Sequence, residues 1–370
     1  MTSPLSIVFL GLSVTSSWGN GHATNYRGLM RTLAKRGHQV TFLERDRPWY
    51  ADNRDLPKPP WGRTRLYRSL LDLKQRFTRL VRAADVVVVG SYVPKGTQVA
   101  DWVLATAKGV RVFYDIDTPV TLAALNDSTC EYLAAHQVPH FHVYLSFTGG
   151  PTLRRIERTY GSPAARAFYC LVDPAVHNPQ ADETREPRWD LGYLGTYSAD
   201  RQPTLRNLLI KPAIAEPMLR CVVAGPQYPD DVEWPSNVRR IEHLPPSRHR
   251  TFYTSQRFTL NVTRAHMRKA GYSPSVRLFE AAACGTPIIS DIWPGIDEVL
   301  EPGSEILLAD SSTEVLRLLS STTEPERRAI GERARQRILR EHTAEHRALE
   351  FEQHIAEARA RLAPRSLAPA

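Results

Sequence analysis

Residues 271–291 read GYSPSVRLFEAAACGTPIISD and hold the clearest element signal in the chain. Ser273 is of the type that caps a helix, and Pro274 suits a first helical position, where a missing amide costs nothing. Apolar residues then run almost unbroken to Gly285, a helix-ending residue, and 287–290 reads as a buried strand. Ser275 and Val276 fall in the first turn of the expected helix, and Glu280 falls in its apolar middle. An unpaired charge there is costly, so Glu280 requires a partner. At helical spacing Ser273, Arg277 and Glu280 share a face, with the unbonded amides of the first turn at its end. Amides and dipole suit a phosphate, Arg277 adds charge, and Glu280 has the capacity to accept two ribose hydroxyls. The same residues allow a plainer arrangement, in which Glu280 pairs with Arg277 inside the core.

Strands expected at 191–194, 219–224 and 258–262 precede this unit and alternate with helical stretches. Before them, 173–188 (DPAVHNPQADETREPR) is rich in proline and charge without apolar period, which predicts a linker. The N-terminal half repeats the alternation. A strand at 7–12 leads through a glycine-containing loop into a helix at 23–35, and Gly37 separates that helix from a strand at 39–43. Further buried strands are expected at 85–89 and 110–114. The fold class is therefore α/β, with two doubly wound Rossmann-like domains and a ligand cleft where strand ends meet helix starts. The expected organisation is an N-terminal domain over 1–172, the linker 173–188, and a C-terminal domain over 189–340. A helix at 341–362 packs back on the first domain, and the tail 363–370 frays.

A length of 370 residues at ~150 per domain agrees with two domains, and 42% hydrophobic residues supply both cores. The 48 basic against 39 acidic residues give a net charge of +9, which favours an anionic partner. Cys130, Cys170, Cys221 and Cys284 lie far apart without a C-x-x-C pair, so neither a disulfide framework nor a zinc site is encoded and a cytoplasmic protein is expected. The apolar N-terminal run lacks the basic start of a secretory signal, and no run approaches the ~20 apolar residues of a membrane span. Residues 63–82 are basic, and Leu66, Leu70, Leu73, Phe77 and Leu80 run along one helix face. This segment fits either a peripheral contact with an anionic membrane or the outer layer of a Rossmann domain. Trp49, Tyr50 and Trp61 suit an acceptor-side loop or simple loop anchors. No basic and aromatic strand motif or reading helix points to nucleic acid.

The string SVRLFEAAACGTPIISD, with Trp293 to Glu298 (WPGIDE) and Pro302 to Ile306 (PGSEI), resembles the donor-binding segment of GT-B glycosyltransferases. The branch it resembles most is the one named after the CgeB spore-maturation protein, related to the group 1 or family 4 type. Gly19-Asn20-Gly21-His22, the stretch Leu33 to Val40 and the turn Gly195 to Arg201 are similar to further parts of that architecture. The resemblance implies a GT-B fold with an acceptor domain followed by a nucleotide-sugar domain. It implies a hexosyltransferase that moves a sugar from a UDP-, dTDP- or GDP-linked donor to a hydroxyl-bearing acceptor. It needs no metal or other cofactor, because dipole and cationic side chains stabilise the leaving diphosphate.

Carried over by position, Glu280 matches the glutamate that holds the ribose, and Gly21, Ser273, Ser275, Val276 and Arg277 belong to the donor side. Related retaining enzymes have a second glutamate eight positions before the first, where this chain has Tyr272. Their glycine-rich turn has an arginine and a lysine where this chain has Thr196 and Arg201. Arg201 retains one cation for the diphosphate, and Arg264 or Arg268 replaces the other unless both are surface charges. Asp115-Ile116-Asp117 resembles the metal-binding D-x-D of the other main glycosyltransferase fold, a match outweighed by the C-terminal motif. Asp117 then lines the cleft or caps the following helix. His22 is the base of an inverting course, oriented by Asp117, or an ordinary loop histidine. Retention is favoured over inversion. The alternatives are a catalytically weak nucleotide-sugar-binding protein and a GT-B sugar-nucleotide epimerase.

Overall fold

A computed structural model describes residues 3–179 and 186–363 of the protein. The middle of the expected linker, 180–185, and the tail beyond 363 lie outside the described residues. Two compact units emerge, each built on one parallel sheet.

The first unit draws its described residues from Met1–Ser16, Leu29–Phe168 and Glu345–Ala370. Its strands are β1 (Ser6–Gly11), β2 (Gln39–Arg45), β3 (Arg63–Tyr67), β4 (Val86–Gly90), β5 (Val110–Asp115), β6 (Val143–Ser146) and β7 (Ala165–Ala167). They lie in the order β3-β2-β1-β4-β5-β6-β7, all parallel, so the winding reverses between β1 and β4. The helices of this half are α1 (His22–Lys35), α2 (Pro48–Ala51), α3 (Leu70–Ala83), α4 (Gly96–Thr106), α5 (Thr118–Asn126) and α6 (Pro151–Tyr160). The run Val86-Val87-Val88-Val89 is buried throughout, as a central parallel strand covered on both faces requires. The loop after β1 folds onto one buried carboxylate. Glu44 accepts the hydroxyls of Ser13 and Thr15 through Oε1 (3.0 and 2.6 Å), and the amides of Val14 and Thr15 through Oε2 (2.7 and 3.0 Å).

The basic segment 63–82 corrects its sequence reading. It is not one amphipathic helix, because Leu66 belongs to edge strand β3, and α3 starts only after the Ser69 side chain accepts the amide of Asp72. Leu73, Phe77 and Val81 face the core, so the apolar stripe is spent on packing. Among the described residues no helix is long and apolar enough to cross a membrane.

The second unit draws its described residues from Ser17–Gly28 and Tyr169–Ala344. It contains β8 (Trp189–Leu194), β9 (Cys221–Ala224), β10 (Val238–Ile241), β11 (Gln256–Asn261), β12 (Ile288–Ser290) and β13 (Leu307–Leu308). Their order, β10-β9-β8-β11-β12-β13, is again parallel and reverses between β8 and β11. The crossovers include α7 (Gln202–Leu205), running through a π-turn into α8 (Lys211–Ala215), then α9 (His249–Thr254), α10 (Ala265–Ala270) and α11 (Val276–Ala283). After β13 come α12 (Ser312–Ser321), α13 (Glu324–Glu341) and α14 (Ala344–Leu362), so the C-terminal helical pattern is broken at His342 and Thr343. Beyond its first residue α14 belongs to the first unit, where Phe351 lies 6.1 Å from Phe9 by ring centroids and Glu352 accepts from Arg36 (2.6 Å).

Candidate functional site

Ligands of doubly wound sheets bind at the carboxyl ends of the strands beside the reversal of strand order. In the second unit that place is the end of β8 and β11, and α11 begins there. The helix starts at Val276 with Ser275 at the N-cap, so Ser273 and Pro274 do not cap it, contrary to the sequence reading. The reason is local: Gly271 (φ 67°) and Tyr272 (φ 51°) make a left-handed turn pinned by the Tyr272 amide donating to the Pro294 carbonyl at 2.6 Å. Ser273 is buried in that turn. The Ser275 hydroxyl donates to Asn261 Oδ1 at 2.7 Å instead of capping the helix amides. By position, the amides of Val276 and Arg277 open at the helix end.

Arg277 is a strut between two strand ends. Its Nε donates to the Leu194 carbonyl at 2.6 Å and its Nη1 to Asn261 Oδ1 at 2.7 Å, with the guanidinium 4.6 Å over the Tyr193 ring. The turn above it needs glycine. A Cβ on Gly195 would stand 2.5 Å from the Tyr193 hydroxyl and 3.0 Å from Arg277 Nη2, and one on Gly225 would stand 2.0 Å from the Gly195 carbonyl. A fixed positive charge therefore lies directly under the turn from Gly195 to Arg201.

Glu280 does not pair with Arg277, which corrects the plainer sequence reading. Its Oε2 accepts from His249 Nδ1 at 3.1 Å and from the Tyr253 hydroxyl at 3.2 Å, while His177 Nε2 stands 3.6 Å from Oε1. Burial works against its charge, but the imidazole of His249, then His177 and the Tyr253 hydroxyl, hold the carboxyl well below its usual range. His249 moves oppositely: burial disfavours its charge, and Glu280 outweighs this and raises its pKa. His177, His249 and Glu280 form the one convergence of potential ligand atoms among the described residues, all within 4.8 Å of one another. Its shortest contact, His249 Nδ1 to Glu280 Oε2 at 3.1 Å, has the length of a direct hydrogen bond.

Around the Gly195 turn, Arg201 folds back so that Nη2 donates to the Thr196 carbonyl, and its Nε makes no hydrogen bond among the described residues. Asp200 sits between Arg201 and Arg264. It accepts the Ala265 amide at 2.8 Å and bonds the Ser198 hydroxyl. Burial opposes its charge, and these bonds together with Arg264 and Arg201 lower its pKa. Arg268 lies elsewhere, in an open pocket of about 630 Å³ with Thr204, Lys211, Asp291 and Asp310, and the Glu280 cluster is not part of that pocket.

The two residues considered for acid–base work fall in different units. Gly21 immediately precedes α1, and its carbonyl accepts from Asn25 at 3.5 Å. His22 opens the helix, its amide donating to Asn20 Oδ1 at 3.1 Å. Asp117 belongs to the first unit and stands at the N-cap of α5 without a side-chain cap bond; its Oδ2 accepts the Tyr92 hydroxyl at 2.9 Å. Asp115 turns into the core, where Tyr144 and Thr121 donate to it. Burial, with Asp117 adding to it, pushes its carboxyl up to about 6.

Sequence reading missed His249, Tyr253, His177, Asn261 and Asp200. The first two sit in the unremarkable string HRTFY, 31 and 27 residues before the glutamate that they hold. The buried charge at Glu280 signalled that partners exist without saying which.

Residues 201–353 match a family model described as glycosyl transferase-like. No curated protein sequence matches the chain. Among solved structures the chain is similar to sucrose-phosphate synthase from Thermosynechococcus elongatus, at 15% identity over 96% of this chain and 100% of that one, with a TM-score of 0.71. It is similar to Anabaena HepE in complex with UDP and glucose, at 12% identity over 95% and 99% of the two chains, TM-score 0.69. It is also similar to AviGT4, a glycosyltransferase involved in avilamycin A biosynthesis, at 15% identity over 96% and 98%, TM-score 0.62. The whole-chain likeness gives the GT-B fold, and the match over residues 201–353 gives glycosyl transfer as the class of chemistry.

Proposed function

We propose that the second unit binds a nucleoside-diphosphate sugar, with UDP the first base to test, and that the enzyme passes its hexose to a hydroxyl-bearing acceptor held by the first unit. The observation that carries this reading is the state of Glu280. It is a buried carboxylate one turn inside α11, with Oε2 held by two donors and Oε1 left to accept a ribose hydroxyl. The diphosphate would lie on the open amides of Val276 and Arg277, with Arg277 beneath the Gly195 turn and Arg201 and Arg264 beside it. As the bond from the anomeric carbon to the diphosphate oxygen breaks, charge grows on the diphosphate, where dipole and guanidiniums meet it without a metal ion.

Retention is the favoured course: the acceptor oxygen bonds the anomeric carbon on the departing face, and its proton ends on the diphosphate. HepE was solved with UDP and glucose, which supports a uridine donor without extending to the acceptor. Placement in the CgeB-like branch belongs to the same proposal and rests on the SVRLFEAAACG motif with Tyr272 before it. That tyrosine, in place of the second glutamate, also supports a second reading, a nucleotide-sugar binder with little turnover. Incubation with UDP-, dTDP- and GDP-hexoses in excess EDTA separates these. Slow donor hydrolysis that survives chelation is expected. Binding without hydrolysis supports the second reading, a C2-epimerised product supports an epimerase, and loss restored by manganese contradicts metal independence.

A further inference from the structure

The hydrogen bonds to Glu280 all reach one oxygen, with His177 Nε2 3.6 Å from the other. Both donors to Oε2, His249 and Tyr253, stand on α9, while Oε1 accepts no hydrogen bond among the described residues. The other ring nitrogen of His249, Nε2, lies 3.3 Å from the Leu244 carbonyl in the loop leading to α9. A carbonyl can only accept, so a hydrogen bond there requires a proton on Nε2. A neutral ring would then set the Nδ1 lone pair against a carboxylate oxygen at 3.1 Å, a repulsive contact; an imidazolium makes it a charge-assisted bond.

The other groups facing this carboxylate leave His249 as its principal counter-charge. Arg277 is committed to Leu194 and Asn261. Arg250, on the same helix as His249, donates to the carbonyls of Asn178 and Pro179. Cys284, one turn along α11, is a buried thiol pushed up to about 12 by burial and then by Glu280, so it stays neutral. His177 stands 3.6 Å from Oε1 and Tyr253 donates without charge. The His249 side chain is 14% exposed against 4% for Glu280, so the proton that governs the pair exchanges through the histidine.

We propose that His249, assisted by Tyr253, is a positioning residue that holds Glu280 with Oε1 presented to the nucleotide ribose, and that it does so in its doubly protonated form. The inference rests on the reading of Glu280 as the ribose acceptor. Its sign follows from the charge: the grip is complete below the ordinary histidine range of about 6.5 and is lost as pH rises through the raised value of His249.

The test is UDP affinity by calorimetry from pH 5.5 to 9 for the wild type, His249→Asn, His249→Ala and Glu280→Gln, with melting temperatures alongside. Asparagine places a neutral N–H where Nδ1 stood. His249→Asn is expected to bind UDP within about threefold of wild type at pH 6 and to lose the histidine-dependent fall at high pH. The ratio of wild-type to His249→Asn affinity removes the ligand's own titration, and it should drop on the order of tenfold across the range. His249→Ala should bind weakly at every pH. If Glu280→Gln leaves UDP affinity unchanged, the ribose reading fails and the proposal with it. If Glu280→Gln weakens binding while the wild-type to His249→Asn ratio stays flat with pH, the positioning role alone is overturned. A stoichiometric divalent metal in the purified wild type that is lost in His249→Ala would also overturn it, because a metal and not a proton would then lie between the two side chains.

Discussion

Two buried glutamates stand near the carboxyl ends of the two sheets, and they are satisfied differently. Glu44 in the first unit receives two donors on each oxygen, all from the loop after β1, and has no acceptor capacity directed elsewhere. Glu280 in the second unit receives both of its donors on Oε2 and none on Oε1 among the described residues. A carboxylate saturated by its own loop fixes the shape of that loop. One held by a single edge and backed by imidazole keeps an acceptor for something else, at the cost of a buried charge that needs its own counter-ion.

The largest effect expected from this contrast is in the first unit. Glu44→Ala leaves four donors of a buried loop without an acceptor and should cost about 4 kcal/mol of stability. Denaturant melting reads the loss, and nucleoside diphosphate affinity in the folded fraction should not change. A large affinity change in this variant would break the contrast, because Glu44 would then be serving the ligand as well.

A smaller effect is expected at Arg201. Its guanidinium bonds the Thr196 carbonyl within its own turn, so Arg201→Ala should lower melting temperature little and weaken UDP binding by roughly tenfold. The loss should shrink as salt is raised, since screening removes the same interaction in the wild type. Equal loss in stability and none in affinity would make the arginine a turn brace only.

The smallest effect is expected on the outer face of α3. Leu71 is 65% exposed, and the apolar stripe used in the core lies on the other side. Leu71→Gln should change stability by no more than about 0.5 kcal/mol. Co-sedimentation with vesicles rich in anionic lipid tests whether the remaining basic face does more; binding halved by this single substitution would show that an apolar contact contributes.

These contrasts also show what a sequence can carry. The central strands β1, β2, β4, β5, β8, β9, β11 and β12 were legible because β-branched runs such as Val86 to Val89 have few other uses, whereas β6 and the outer strands β7, β10 and β13 went unread. The start of α11 was misplaced by two residues: Ser273-Pro274 has the composition of a cap, whereas the left-handed pair Gly271 and Tyr272 turns the chain first. The basic stretch at 63–82 misled because an edge strand and a helix in succession can imitate a single helical period over a few leucines. Glu280 was legible as a buried acid in need of partners, since an acid inside an apolar helix needs an explanation. Its partners were not, because α9 meets α11 only through the fold of the sheet. Asp200 was invisible for the same reason: its contact with Ala265 spans 65 residues.

The measurement that bears most directly on the central claim is the melting temperature of wild type and Glu280→Gln with and without UDP, GDP and dTDP. At a hundredfold excess over the dissociation constant, a bound diphosphate adds about 2.7 kcal/mol of stability. A clear upward shift is expected for the wild type with at least one diphosphate. In Glu280→Gln the shift should be much reduced, beyond what the loss of the His249 pair takes from the ligand-free melting temperature. No shift with any diphosphate, or an unchanged shift in a Glu280→Gln protein that has itself become unstable, would contradict it and return Glu280 to the core.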